Sequence, residues 1–178
     1  MGEFLLSDST LKRSRYDASS SARPRALGTI VYGGLAVGVL DALDAMLFFG
    51  IRNGIKPTRI FQSIASGLLG RERCISGGLK TALLGVFLHF LIAFILATVF
   101  YVASSILPLL IRHAVISGLF YGVAVYFVMN FVVLPLSAVA PRTGAIPWAV
   151  FLNGVAGHAL LVGLPIALLA RRSAKAAK

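Results

Sequence analysis

Four long apolar stretches, separated by short polar connections, dominate the pattern along the chain. They cover residues 26–50, 78–107, 113–136 and 147–170. Crossing about 30 Å of hydrocarbon takes about 20 helical residues, and each stretch is at least that long. None alternates with the two-residue period of a barrel strand, so helices are the spanning structure that the pattern favours. The sequence therefore predicts an all-α polytopic membrane protein with four transmembrane helices.

A shorter amphipathic segment, residues 57–70, lies between the first two spans. Ile60, Ile64 and Leu68 repeat at four-residue spacing, while polar side chains fill other faces of the same segment. The apolar part is too short to cross a bilayer. We therefore expect an interfacial helix here, with a re-entrant hairpin as the alternative.

Composition supports the membrane class and separates two polar tails from the spans. Of the 178 residues, 58% are hydrophobic and 13% are charged, far from the balance of a soluble domain. Residues 1–25 are serine-rich and basic and lack a signal-peptide apolar run, so we expect a disordered, uncleaved tail. Residues 26–170 form one predicted four-helix domain, and residues 171–178 form a second basic tail. Because Cys74 is alone, it supports neither an intramolecular disulfide nor a cysteine metal cluster.

The basic residues predict both a partner and an orientation. The chain has 17 basic and six acidic residues, and the basic ones concentrate in tails and connections. This distribution favours contact with anionic lipid headgroups and not with nucleic acid. Four spans place both termini on one side, which holds all the basic residues except seven. The seven are Arg52, Lys56, Arg59, Arg71, Arg73, Lys80 and Arg142. The positive-inside rule then predicts cytoplasmic termini.

Short internal matches indicate two tandem helix hairpins. The first and third spans contain "GLAVGV" and "GLFYGV", and the second and fourth contain "GVFLHFL" and "GVAGHAL". A duplication, with the amphipathic segment inserted in the first copy, explains why the two offsets differ. Chance similarity between apolar sequences is the alternative. A true duplication would make His89 and His158 symmetry mates about an axis along the membrane normal.

Six polar side chains fall at a similar depth within the four spans. They are Asp41, Asp44, His89, Asn130, Asn153 and His158. At 1.5 Å per residue, all six lie between the midplane and roughly 10 Å toward the outer side. An ionised carboxylate at a helix centre costs about 2.5–3.5 kcal/mol, and two a turn apart also repel. We therefore expect an intramembrane polar site in which at least one carboxyl is protonated or shares a proton or a cation. The structural alternative is that Asp44 is hydrated near the interface while Asp41 bonds to Asn153 or to a backbone carbonyl.

Small residues indicate which helix faces pack together. In the first span Gly34, Gly38 and Asp41 share one stripe, and both histidines also lie on small-residue stripes. The predicted packing positions are Gly34, Gly38, Gly85, Gly118, Gly122, Gly154 and Gly157. Asn130 and Asn153 deviate from these stripes, so interhelical hydrogen bonding is the interpretation for both.

Three functional hypotheses follow from these residues. The first is a membrane module that binds or conducts a proton, a cation or a small polar solute. The second is a structural or accessory subunit, and the third is a redox protein whose His89 and His158 ligate a haem or a metal. The cofactor and metal identity stay open. No phosphate-binding glycine motif, nucleophile elbow or HExxH zinc motif occurs, so the sequence shows no catalytic set, and a membrane enzyme stays an open alternative. Four helices are few to enclose a transport pathway, and this favours a homodimer or a membrane-protein partner.

Residues 80–172, which include "LHFLIAFILATVFYV" and "LNGVAGHALLVGLPIALLARR", resemble small four-helix bacterial inner-membrane proteins of the YagU type and related families without an assigned function. The resemblance rests on His89, Asn130–Pro135, Pro141, Gly157 and His158. It implies a bacterial cytoplasmic membrane and a loose association with acid tolerance. The chain departs from the family pattern in its first loop and at Asp41 and Asp44.

Overall fold

The fold is all α-helical, as the sequence predicts. The computed structural model describes residues 25–139 and 144–175, and within these ranges the chain forms helices and no strand. The helices are α1 (Gly28–Asn53), α2 (Pro57–Leu69), α3 (Arg71–Ser76), α4 (Gly78–Ile106), α5 (Leu109–Arg112), α6 (Ala114–Val133) and α7 (Trp148–Lys175). Four of them, α1, α4, α6 and α7, are long and apolar enough to cross a membrane. Apart from Arg25, the predicted tail at 1–25 lies outside the described residues.

Glycine and proline set the ends of the helices around the first connection. α1 ends at Asn53 because Gly54 adopts the left-handed conformation, with φ of 64°. Pro57 occupies the first position of α2, where its missing N–H costs no helical hydrogen bond. Gly70, with φ of 80°, separates α2 from α3. α4 ends at Ile106, because Leu107 precedes Pro108 and leaves the helical conformation.

An apolar face of each of two spanning helices is exposed. In α1 this face consists of Leu35, Val39, Leu43, Leu47 and Ile51, and in α4 it consists of Leu79, Leu83, Phe87, Leu91, Ile95 and Val99. Large side chains at four-residue spacing form a continuous stripe on a helix. Such long exposed stripes fit contact with lipid chains and not with water. The chain is therefore a multi-pass membrane protein.

Both ends of the described chain meet at one end of the bundle. The Thr29 and Ser173 hydroxyl oxygens lie 2.9 Å apart and form a hydrogen bond between the start of α1 and the end of α7. α7 continues as a helix to Lys175, so the predicted basic tail at 171–178 is helical over its first part. The continuation has a physical reason, because Ala174 is buried against the bundle and the segment contains only helix-tolerant residues.

Glycines allow the closest contacts between helices, and they do so in two ways. Gly34 and Gly38 of α1 receive the rings of Phe94 and Phe90 of α4. Gly118 and Gly122 of α6 instead lie directly against the backbone of α7, where Gly163 faces them. In the remaining three positions Gly85 faces the Phe61 backbone, Gly154 faces the Tyr126 ring and Gly157 faces the Asp44 carboxylate. Gly85 and the α6–α7 glycines therefore both allow backbone-to-backbone contact, and Gly118 and Gly122 do so with the four-residue spacing of a GxxxG motif.

The amphipathic segment forms the helix α2, which packs mainly on the first half of α4. The buried Gln62 side chain donates hydrogen bonds to the Gly78 carbonyl and to the Thr81 hydroxyl, at 2.8 and 3.3 Å. At its other end, the Gly67 carbonyl accepts a 2.8 Å hydrogen bond from the Ala138 N–H, just beyond α6. α2 is therefore fixed to two parts of the bundle, while its depth in a bilayer stays a prediction.

Candidate intramembrane polar site

A cavity of about 150 Å³ lies between the four spanning helices and α2. It is lined by Val37 and Asp41 of α1, Ile64 of α2, His89, Ile92, Ala93 and Leu96 of α4, Met129 of α6, and His158 and Val162 of α7. Three of the six polar residues singled out from the sequence, Asp41, His89 and His158, therefore face one space. The rest of the lining is apolar, so these three side chains supply the chemistry of the cavity.

Asp41 is the only carboxylate that lines the cavity, and it is half-buried on α1. Among residues 25–139 and 144–175, its carboxylate has no side-chain or backbone hydrogen-bond partner. A water molecule takes about 30 Å³ in the liquid, so a cavity of about 150 Å³ has room for several. Such water is the natural partner for a carboxylate that has no protein donor.

The two histidines are each held by one backbone carbonyl. The Nε2 atom of His89 lies 2.8 Å from the Gly38 carbonyl oxygen, and Nδ1 of His158 lies 2.9 Å from the Gly154 carbonyl oxygen. Because a carbonyl oxygen only accepts, each of these nitrogens carries the hydrogen and donates it. The other nitrogen of each neutral ring then keeps a lone pair and is a proton acceptor.

Two π-helical turns begin at residues that line the cavity. One covers Met129–Val133 at the end of α6, and the other covers His158–Gly163 in the middle of α7. A π turn accommodates an extra residue and widens the helix, and such turns are frequent at functional sites. The His158 carbonyl oxygen, at the start of its turn, abuts Gly122 of α6.

The two histidines hold similar places in the two halves of the chain. His89 bonds to the carbonyl of Gly38, and the His158 carbonyl abuts Gly122. Gly38 and Gly122 are the equivalent glycines of the two matched motifs. The imidazoles themselves are oriented differently, because His89 reaches a neighbouring helix and His158 bonds within its own. This arrangement agrees with the predicted hairpin duplication, which stays a prediction.

Asp44 does not join Asp41 but pairs with Asn153. The Asn153 side-chain amide donates a 2.9 Å hydrogen bond to Asp44 Oδ2, between α1 and α7. Both residues line a second cavity, of about 420 Å³, which opens broadly to the surface of the bundle. Its other lining residues are Leu47 and Ile51 of the exposed α1 face, Phe48 and Arg52. The structural alternative considered from the sequence thus assigned Asn153 to the wrong aspartate, because Asp44 and not Asp41 faces α7 at that level.

Asn130 lies outside the residues that line either cavity. Its side-chain amide donates a 3.0 Å hydrogen bond to the Tyr126 carbonyl one turn earlier in α6. The predicted interhelical role is therefore replaced by a bond within its own helix. The local reason is that a short polar side chain in a helix readily reaches the carbonyl four residues before it.

Tyr126 lies beside His158 at the central cavity, and it was not among the residues predicted from the sequence. Its ring packs edge-on against His158, with the ring centroids 5.5 Å apart, and against Gly154. Its hydroxyl is buried and has no hydrogen-bond partner within the described residues. The signal that points to it is spacing, because Gly118, Gly122 and Tyr126 repeat at four residues on the packed face of α6.

The described residues contain no group of three or more His, Cys, Asp or Glu side chains arranged to hold a metal ion. Asp41, His89 and His158 therefore line the cavity without converging on one point.

Comparisons with known proteins give no family assignment. A scan against protein-family models and searches of curated proteins and of solved structures find no match. The resemblance to YagU-type proteins stays a prediction.

Proposed function

We propose that this protein is a membrane module that binds a proton in its central cavity and passes it between water layers. The observation that supports this proposal is that Asp41, His89 and His158 line one cavity whose other lining residues are apolar. A carboxylate and two imidazoles with free acceptor nitrogens are suitable groups for proton exchange through water. Intramembrane ionisable residues mark proton and ion pathways as a rule.

The size of the cavity favours a proton over larger ligands. Sites for drug-sized molecules and cofactors occupy about 300–1,000 Å³. The central cavity, at about 150 Å³, is smaller than this range. A haem between His89 and His158 therefore requires the helices to separate. A small cation or polar solute is the nearest alternative occupant.

The surroundings of the cavity suggest access from the end opposite the termini. On that side, one helical turn along α1 from Asp41, lie Asp44, Asn153 and the second cavity, with Arg52 at its edge. Toward the termini the bundle is filled by buried apolar side chains. These include Ala97, Phe100, Ile166, Ala167 and Ala170. Conduction therefore requires this apolar layer to open, and proton binding does not.

Proton flux into liposomes tests the proposal. Removing the Asp41 carboxylate without changing its shape, by Asp41→Asn, should reduce flux to the level of protein-free liposomes. Glu72→Gln is the matched control, because Glu72 is exposed on α3 and lies outside both cavities. Equal flux in a folded Asp41→Asn variant and in the wild type would refute a role for Asp41 in conduction.

Infrared titration in liposomes tests proton binding separately from conduction. A protonated-carboxyl band at neutral pH that disappears in Asp41→Asn and persists in Asp44→Asn supports binding at Asp41. Wild-type protein whose carboxyl bands all titrate near pH 4, as those of free side chains do, removes the proposal.

A structural or accessory role is the second candidate, and the hydrogen bonds favour it. Asp44 is paired with Asn153, His89 with the Gly38 carbonyl, and Tyr121 donates a 2.7 Å hydrogen bond to the Leu96 carbonyl. Such bonds between helices stabilise a bundle whether or not anything is transported. Unchanged flux in Asp41→Asn, together with co-purification of a membrane-protein partner, would select this role.

For location, we propose a bacterial inner membrane with cytoplasmic termini. The support is the larger number of basic residues on the side of the termini, together with the family resemblance. The Thr29–Ser173 hydrogen bond agrees with the even number of spans that this topology needs.

A further inference from the structure

A groove of about 860 Å³, distinct from both cavities described above, lies around α2. Its walls come from the end of α1, the connection to α2, α2 itself, α3 and the segment that follows α6. It lies at the end of the bundle opposite Thr29 and Ser173, where Phe49 and Leu134 mark the ends of two spanning helices. Because the spanning helices end at this level, we expect it to lie at the boundary between acyl chains and headgroups.

Within the part of the chain that the structure describes, the side chains that line this groove carry positive and no negative charge. Lys56, Arg59 and Arg71 line it and are exposed, and none of its lining residues is acidic. The nearest acid in the sequence, Glu72, is exposed and does not line the groove. An uncompensated group of three cations complements a phosphate-bearing headgroup.

The rest of the lining is apolar, which separates an amphiphile from a simple anion. Phe49, Ile55, Ile60 and Leu134 lie beside the cations in the same groove. An inorganic phosphate leaves this surface and most of the volume uncovered. A phospholipid fills both parts, since its phosphate meets the cations and its acyl chain covers the apolar wall.

The groove is built on a fixed helix. Gln62 ties α2 to Gly78 and Thr81, and the backbone of Phe61 lies directly against Gly85 of α4. Arg59 donates a 3.2 Å hydrogen bond to the Gln62 side-chain oxygen, which orients its guanidinium and leaves other N–H groups for a ligand. The helix that carries Arg59 is therefore already in place before lipid binds.

We infer that this groove binds one anionic phospholipid, with Lys56, Arg59 and Arg71 on its phosphate group. The inference does not depend on proton binding in the central cavity. It also gives the cationic first connection a role on the side where the positive-inside rule does not favour basic residues.

Lipid titration of the full-length protein in a mild non-ionic detergent, followed by native mass spectrometry, tests the inference. Each cation near an anionic lipid contributes about 1 kcal/mol, or about fivefold in affinity. The Arg59→Gln, Arg71→Gln double variant should therefore bind phosphatidylglycerol about 25-fold more weakly than wild type. Arg59→Lys, Arg71→Lys, which keeps both charges, should bind it within about fivefold of wild type.

Arg73→Gln, Lys80→Gln is the matched control, because it removes two charges from the same end of the protein but outside the groove. It should leave phosphatidylglycerol affinity within about twofold of wild type. If both glutamine double variants lose phosphatidylglycerol affinity equally, general surface charge explains the loss, and the inference is overturned. Equal affinity for phosphatidylcholine, or displacement of the lipid by millimolar inorganic phosphate, would overturn it as well. Circular dichroism of each variant confirms that the helical bundle is intact.

Discussion

Gly122 is a position near the central cavity where one added methyl group should be costly. An alanine Cβ there would lie 2.6 Å from the Ala159 Cα and closer still to the His158 carbonyl oxygen. Carbon atoms in contact prefer separations of about 3.5–4.0 Å. α6 and α7 must therefore move apart by about 1 Å at the turn that carries His158. Both neighbours are backbone atoms, so no side-chain rotation relieves the clash.

We expect Gly122→Ala to lower the free energy of unfolding by about 1–3 kcal/mol, the usual cost of an overpacked contact. Gly50→Ala is the matched control, since its Cβ would lie 3.8 Å from the Ile55 carbonyl oxygen, an ordinary contact. Alanine is the better helix former, so the control should be neutral or more stable by up to about 1 kcal/mol.

The measurement is reversible unfolding in mixed micelles of mild detergent and dodecyl sulfate, followed by circular dichroism. The two variants should differ by at least about 1 kcal/mol, with Gly122→Ala the less stable. If Gly122→Ala unfolds within about 0.5 kcal/mol of Gly50→Ala, the backbone contact between α6 and α7 is wrong. The placement of His158 opposite Gly122 would then be wrong as well.

Two further predictions concern other contacts between helices. A double-mutant cycle of Asp44→Ala and Asn153→Ala, in the same unfolding assay, should give a coupling of about 0.6–1.7 kcal/mol, and additive effects would mean that the two side chains do not bond. Thr29→Cys and Ser173→Cys, introduced together with Cys74→Ala, should form an intramolecular disulfide under mild oxidation, because the native hydroxyl oxygens lie 2.9 Å apart. Retention of two free thiols, measured by alkylation and mass spectrometry, would contradict the meeting of α1 and α7 at that end.

Part of the candidate site was accessible from spacing alone. The small-residue stripe that includes Ala82, Gly85 and Ala93 predicted an inward-facing His89, and all three small residues are buried. The stripe shared by Gly34, Gly38 and Asp41 likewise predicted that Asp41 turns away from lipid, and Asp41 lines the central cavity. These predictions succeeded because a regular α-helix fixes the angle between residues on the same helix.

Residue spacing along one helix did not predict which polar side chains of different helices pair. Asp41 and Asp44 are close in sequence, yet one faces the central cavity and the other bonds to Asn153. A rotation of about 60° separates two side chains three residues apart on a helix, and it is enough to present them to different neighbours. The interhelical hydrogen bond predicted for Asn130 is replaced by one to the Tyr126 carbonyl, because its own helix supplies a nearby acceptor.

The sequence by itself determined the helical class, the four long apolar segments and the amphipathic helix between the first two. These are local properties, since a segment must satisfy its own backbone hydrogen bonds and match its side chains to lipid over its own length. Only the tertiary structure decided which polar groups share a cavity, where α2 packs, and which glycines contact the backbone of a neighbouring helix. Those outcomes depend on the order and rotation of the helices, and the π turn at His158 changes that rotation partway along α7.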